Sequence, residues 1–465
     1  MDYISTRGDA PALGFRDALL AGLARDGGLY LPSEWPSFSK KDIRAMRGQS
    51  YQQIAFTVLS RFVDGEIPAE DLKNMINEAY ATFKHPAIAP LVQVGPNEFV
   101  LELFHGTTLA FKDVAMQLLA RLMDYVLAER GEHATIVGAT SGDTGGAAID
   151  AFGGRQRTDV FIFFPHGKVS AVQQRQMTTS GHANVHAVAV HGNFDDCQDL
   201  VKAMFNDVPF REGVKLSGVN SINWARIMAQ VVYYFTSAVA LGSPDRKVSF
   251  TVPTGNFGDI FAGYVAKRMG LPIDRLVIAT NDNDILARTL KTGRYEMKPV
   301  MATSSPSMDI QISSNFERLL FEAYGRDAGA VRSAMSGLRQ SGAFEIQPEA
   351  LKAIRREFKA GRATQKQVAQ TIRDTLAETG YLLDPHTATG IFVAAKNSKP
   401  TSPMVTLATA HPAKFPASVE SACGISPALP SWLADLMTRE ERYDLLEPEL
   451  KAVETFIRQH ARANA

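Results

Sequence analysis

A chain of 465 residues, 45% hydrophobic and 21% charged, is too long for one ordinary core and has enough apolar material for two or three folded domains. Lysine plus arginine and aspartate plus glutamate both number 49, so no net field favours nucleic acid or an anionic membrane. Two cysteines, Cys197 and Cys423, lack both a disulfide framework and metal-ligand spacing, Met1 to Gly8 carry no apolar leader, and no run approaches the roughly 18 apolar residues of a spanning helix. A cytoplasmic protein with no metal, nucleic-acid or membrane partner is expected.

In chain order, residues 1–95 lack buried strand runs; Ile54, Val58, Leu59 and Phe62, then Leu72, Met75, Ile76 and Ala79, recur at helical spacing and predict a helical N-terminal unit. From residue 98 short β-rich runs alternate with amphipathic helices: 99–103, 134–139, 160–164, 185–190, 248–252, 275–279 and 404–408. Such alternation predicts an α/β fold with parallel sheets covered by helices. The core is assigned to 96–325 and 381–425, with a smaller α/β subdomain at about 113–210, a helical insertion at 326–380 and C-terminal helices at 426–465. His182 and His186 are four apart, but around the run at 185–190, where that spacing does not align them on a helix.

Ligands of open α/β sheets collect where strands end and helices begin. Lys112 closes the turn-rich stretch His105-Gly106-Thr107-Thr108-Leu109-Ala110-Phe111 and opens a helix whose stripe runs Ala115, Leu118, Leu119, Leu122, Met123, Val126 and Leu127. An amine collared by Leu109, Ala110 and Phe111 loses hydration as an ammonium and becomes a nucleophile for a carbonyl, although a lysine at a helix start also serves as a plain surface residue. The run at 134–139 is followed by Thr140-Ser141-Gly142-Asp143-Thr144-Gly145-Gly146, a small-residue loop shaped to receive a carboxylate or simply to cap a helix. Beyond 248–252 come Thr254-Gly255-Asn256-Phe257-Gly258-Asp259, where two glycines at a helix start form an N–H nest for a phosphate; neither standard nucleotide signature is present. Thr409 follows 404–408 and offers a hydroxyl to an uncharged ring nitrogen.

This order of lysine, carboxylate loop, phosphate nest and terminal threonine resembles the fold-type II enzymes of pyridoxal 5'-phosphate. More closely it resembles the threonine synthase family, in its longer bacterial and fungal branch. The likeness also runs through Tyr3-Ile4-Ser5-Thr6-Arg7-Gly8, Pro165-His166-Gly167-Lys168-Val169-Ser170, Asn220-Ser221-Ile222-Asn223-Trp224-Ala225-Arg226, Ser313-Ser314-Asn315-Phe316-Glu317-Arg318, Asp384-Pro385-His386-Thr387 and 407–415. The resemblance implies a fold of two parallel-sheet domains and a reaction of O-phospho-L-homoserine with water to give L-threonine and phosphate. It also implies that Lys112 carries the cofactor and acts as base, and that Gly255, Asn256, Phe257, Gly258 and Asp259 hold the cofactor phosphate. Thr409 then faces the pyridine nitrogen, and Ser141, Gly142, Asp143 and Thr144 serve the substrate carboxylate and the cofactor's ring oxygen. The wider fold type usually has asparagine where this chain has Asp143, and an unprotonated carboxylate there would repel a phenolate.

A site for two phosphates needs charge for the second. Ser313, Ser314, Asn315 and Arg318 are the first candidates, because a guanidinium makes bidentate contacts to phosphate; Arg226 and Lys414 come next. A related phospholyase, a serine/threonine dehydratase and a non-catalytic relative remain alternatives, and the assembly is expected to be a monomer or small homo-oligomer.

Overall fold

The computed structural model describes residues 1–462, so the last three residues of the 426–465 span lie outside the described residues. Two sheets organise the chain. The larger has six strands in the order Phe358–Arg362, Ile273–Thr280, Val248–Pro253, Met404–Ala408, Glu98–Glu102 and Leu91–Gly95, with only the last pair antiparallel. The smaller has five parallel strands, Asp444–Leu446, Val185–Val190, Thr158–Pro165, Ala134–Ala139 and Leu216–Ser217. Thr158–Pro165 is buried along its whole length, as a strand covered on both faces must be, and its continuous apolar run reflects that.

The helix Lys112–Arg130 packs against the helices Asp143–Phe152, Trp224–Ala240 and Ala69–Ala81 and is buried on almost every side from Lys112 to Leu127. Its Leu118, Leu119 and Leu122 are 0% exposed, and burial of each side chain contributes roughly 2 kcal/mol. One flank is covered by Ala69–Ala81, where the Tyr80 hydroxyl donates to the Val114 carbonyl at 3.3 Å. Ahead of that helix, Tyr51–Val63 starts at a capping box in which Ser50 and Gln53 satisfy each other's free N–H groups. The Trp224 ring is enclosed by Tyr3, Trp35 and Phe62 at centroid distances of 6.1, 6.0 and 5.6 Å, which anchors the N-terminal segment to the helix Trp224–Ala240.

Three stretches differ from the all-helical expectation. Within 1–95, Tyr3–Ser5 pairs with Tyr30–Pro32, and Leu91–Gly95 is an edge strand of the large sheet. Within 326–380, Phe358–Arg362 is the edge strand of the large sheet, and Ala343–Glu345 pairs with Arg294–Glu296. Within 426–465, Asp444–Leu446 extends the small sheet ahead of the helix Leu450–His460. The strands within 326–380 and 426–465 are five, three and three residues long, too short for alternation or a buried run to mark them. No helix among the described residues is long and apolar enough to cross a membrane.

Candidate active site

The Lys112 loop and the Thr409 loop are joined through their backbones. Leu103 N–H donates to the Ala408 carbonyl at 3.0 Å, Phe111 N–H to Thr409 at 2.9 Å, and His411 N–H to Leu109 at 3.0 Å. Leu109, fully buried, is held at φ 62°, a left-handed conformation that a leucine keeps only where its surroundings impose it. Asp113 folds back on the loop, accepting from the Thr108 N–H at 2.8 Å and the Thr108 hydroxyl at 2.5 Å. Burial, aided by Asp150, pushes the Asp113 carboxyl up to about 7 despite the Thr108 bonds. Lys112 is 9% exposed and its Nζ donates to Asp143 Oδ2 at 3.2 Å. Burial lowers the pKa of this amine; Asp143 opposes that shift, and the positive charges of Lys414 and Arg226 add to it.

Asp143 opens the helix Asp143–Phe152, whose N-terminal partial positive charge favours a carboxylate. Four side chains converge on it: Lys112, Lys414 Nζ at 3.0 Å, the Ser307 hydroxyl at 2.7 Å and Gln173 Nε2 at 2.9 Å. Burial alone would raise the Asp143 carboxyl, but Lys112, Lys414 and His386 hold it well below the usual carboxylate range. Ahead of it, Gly142 sits at φ 140°, and a Cβ there would lie 2.4 Å from the Gln173 side chain. The Thr140 hydroxyl accepts from the Gly142 and Gly145 N–H groups at 2.9 and 3.0 Å. The N–H groups of Ser141, Asp143 and Thr144 find no acceptor among the described residues and stay available. Gly142 therefore differs from its expected role: its own N–H is committed to Thr140, and its contribution is shape.

The Thr254–Gly258 turn leads into the helix Gly258–Arg268 with Phe257 left-handed at φ 64°. The N–H groups of Gly255, Asn256, Phe257, Gly258 and Asp259 meet no acceptor among the described residues. Asp259 contributes there through its backbone only. Its carboxyl is buried against Tyr233 and Tyr234, with Tyr234 donating at 3.0 Å, and burial pushes it up to about 7.

Ser313, Asn315 and Arg318 brace this turn, which corrects the expectation that these three meet a substrate phosphate. The Ser313 hydroxyl donates to the Gly255 carbonyl at 2.6 Å, and Asn315 Nδ2 donates to the Asn256 and Ser221 carbonyls at 3.0 and 3.2 Å. Ser314 is half-buried, with its hydroxyl 3.4 Å from Asn256 Oδ1. Arg318 is 0% exposed; it donates to the Tyr30 carbonyl through Nε and Nη2 at 3.0 and 2.8 Å, to the Ile222 carbonyl at 2.6 Å and to Asn315 Oδ1. Four of its five N–H donors are spent on internal acceptors, and its complete burial keeps the guanidinium from a ligand. Arg226 is the opposite case. It is 3% exposed, its Nη1 donates to the Val219 carbonyl at 3.1 Å, and its Nε has no partner among the described residues. Burial lowers its pKa to about 10, so it remains cationic, and its charge acts on the Lys112 amine.

The turn at Ser307 connects these parts: its hydroxyl reaches Asp143, its N–H donates to His386 Nε2 at 3.3 Å, and its carbonyl lies 3.0 Å from where a Cβ on Gly255 would sit. Lysine, carboxylate loop, nest and Thr409 thus gather at the carboxyl ends of strands, which is the geometry of a pyridoxal-phosphate-dependent enzyme. A family model described as pyridoxal-phosphate dependent enzyme matches residues 83–410, flanked by models for the threonine synthase N terminus at 2–80 and C-terminal region at 387–457. A curated threonine synthase of Pseudomonas aeruginosa is 53% identical over 462 residues, covering 99% of this chain and 98% of that one. The crystal structure of PLP-bound threonine synthase from Brucella melitensis is 69% identical with a TM-score of 0.98, over 99% of this chain and 100% of that one. The yeast threonine synthase structure is 40% identical with a TM-score of 0.94, over 99% and 98%. The chain belongs to the threonine synthase family.

The residues suit the cofactor that this family carries. Five unpaired N–H groups at a helix start fit a phosphate dianion, Lys112 fits an aldehyde carbon, and the Thr409 hydroxyl, 6% exposed, has no partner among the described residues. Sequence reasoning did not anticipate Ser307, Gln173 or the place of Lys414. Ser307 stands in a Ser/Thr-rich turn with no distinguishing spacing, Gln173 reads as the third residue of a capping box, and Lys414 lies 271 positions from Asp143, so only the fold unites them.

Proposed function

We propose that this protein converts O-phospho-L-homoserine and water to L-threonine and phosphate by γ-elimination followed by β-addition. It works on a small soluble substrate in the cytoplasm. The observation that supports this best is that two unlike groups suited to anions accompany one lysine: the free N–H groups at Gly255–Asp259 and Arg226, whose guanidinium makes no ion pair among the described residues. A neutral nest suits a resident phosphate that stays in place, and a guanidinium suits one that arrives and departs with the substrate.

In this reading Gly255, Asn256, Phe257, Gly258 and Asp259 hold the cofactor phosphate through their N–H groups, and Thr409 meets the ring nitrogen as a neutral hydroxyl. The bound cofactor supplies an electron sink for the pair released when a proton leaves Cα. Lys112 anchors the cofactor at rest and, once free, moves protons at Cα and Cβ; its lowered pKa makes the neutral base accessible. The Ser141, Asp143 and Thr144 N–H groups, with the Ser141 and Thr144 hydroxyls, receive the substrate α-carboxylate. Arg226, with Ser314 near the nest, receives the γ-phosphate. Water then adds at Cβ.

The test is to incubate the protein and pyridoxal phosphate with O-phospho-L-homoserine and identify the products. Threonine and phosphate in equal amounts are expected; a 2-oxo acid with ammonia would identify a dehydratase or phospholyase instead. Lys112→Ala should abolish turnover, because anchor and base are lost together. Arg226→Met should raise KM for the phosphorylated substrate at least tenfold while visible cofactor absorbance is retained. Unchanged KM would remove Arg226 from the phosphate site.

A further inference from the structure

Among the described residues Asp143 is the one carboxylate paired with Lys112, and it is paired twice. Lys112 approaches Oδ2 at 3.2 Å and Lys414 approaches Oδ1 at 3.0 Å. The two lysines are not equivalent. Lys112 must give up its ammonium state for its proposed work, since its nitrogen is bonded to the cofactor at rest and accepts a proton only when neutral. Lys414 has no such duty. It is 0% exposed, and its ammonium donates to the Thr108 carbonyl at 2.6 Å and to Gln176 Oε1 at 3.1 Å and forms an ion pair with its third acceptor, Asp143. Those acceptors come from the Lys112 loop, from the helix Ala171–Thr178 and from the start of Asp143–Phe152, so the ammonium is fixed from three sides.

We propose that Lys414 is the resident counter-ion of Asp143, a positioning residue that keeps this carboxylate ionised and aimed into the site while Lys112 is neutral. The inference rests on the reading of Lys112 given above. The other groups facing Asp143 cannot take over. Ser307 and Gln173 are neutral donors. His386 is held elsewhere, with Nδ1 paired to Asp384 at 2.6 Å and Nε2 accepting from the Ser307 N–H, and it makes no hydrogen bond or ion pair with Asp143 among the described residues. Arg226 makes no ion pair with Asp143 among the described residues. With Lys112 neutral and Lys414 removed, Asp143 would be a buried carboxylate without a cation, and such a group takes up a proton. The position where the wider fold type usually has a neutral asparagine would then be occupied in this chain by an aspartate–lysine pair, together neutral.

Two independent measurements test this. In the first, Lys112→Met mimics a neutral Lys112, and infrared spectroscopy reads the C=O stretch of protonated carboxyl groups at pH 7, assigned by its loss when Asp143→Asn is added. Lys112→Met alone should show no Asp143 band, and Lys112→Met with Lys414→Met should show one. A folded double variant without that band overturns the proposal. In the second, the kcat–pH profile of the holoenzyme is compared for Lys414→Gln and Lys414→Arg. The acid limb should move up by at least one pH unit in Lys414→Gln and return in Lys414→Arg. A uniform loss of kcat at every pH, with no movement of the limb, would mean that Lys414 merely supports the fold. Circular dichroism checks folding; the profile decides if the double variant does not fold. The infrared result does not depend on the substrate, so failure to make threonine leaves it standing and separates the two readings.

Discussion

Replacing Arg318 by methionine separates the two arginines that sequence reasoning ranked for the substrate phosphate. Methionine preserves an unbranched stem beside Trp224, whose ring lies 5.7 Å from the Arg318 guanidinium, and removes every donor. The Tyr30 and Ile222 carbonyls and Asn315 Oδ1 then lose their partners in a fully buried setting. Each stranded acceptor costs roughly 1–3 kcal/mol, and release of a buried charge, whose pKa burial has lowered to about 9, offsets part of that. The net expectation is a destabilisation of about 2–5 kcal/mol. Urea unfolding followed by tryptophan fluorescence should show the midpoint falling accordingly, while KM for the phosphorylated substrate stays within about threefold of the parent in the folded protein. A parental midpoint together with a KM raised tenfold would refute the reasoning and return Arg318 to the substrate.

Asp259 links stability to pH. Its folded-state pKa is raised from 3.8 to about 7, so the folded form holds the proton more tightly; that stabilisation is fully present below about pH 4 and is lost as pH rises through 7. The proton's tighter hold in the folded form is worth about 4 kcal/mol. Asp113 shifts the same way, so Asp259→Asn should reduce, not abolish, the fall in the urea midpoint between pH 5 and pH 8; an unaltered fall would refute the assignment. Gly255→Val places a Cβ 3.0 Å from the Ser307 carbonyl oxygen and 3.3 Å from Met308 Cα, both backbone atoms, and must displace the nest or the Ser307 turn. Absorbance titration should show cofactor affinity falling at least tenfold, and parental affinity would exclude the nest.

Much of the frame was legible because each signal is local. The runs at 134–139, 160–164 and 404–408 are apolar without alternation and proved to be interior parallel strands. Lys112, Asp143, the Gly255–Gly258 turn and Thr409 all follow strands, and sheet chirality brings such exits to one edge. The edge strands Phe358–Arg362 and Asp444–Leu446 escaped notice because pairing with a neighbour, not their own pattern, makes them strands. Arg318 was misjudged for a related reason. The serine-rich context at 313–318 is the same whether the guanidinium faces a ligand or three internal acceptors.

The amino-acid order by itself determined the class of chemistry. A lysine at a helix start, a glycine nest and a small-residue loop owe their character to nearest neighbours in the chain, and backbone N–H groups at a helix start point at an anion whatever surrounds them. Tertiary structure alone decided the charges. It occupied Arg318 with the Tyr30 and Ile222 carbonyls, left Arg226 Nε without a partner among the described residues, and set Lys414 against Asp143 across 271 residues. Coulomb energy and desolvation depend on distance and burial in space, and neither is written into spacing along a chain.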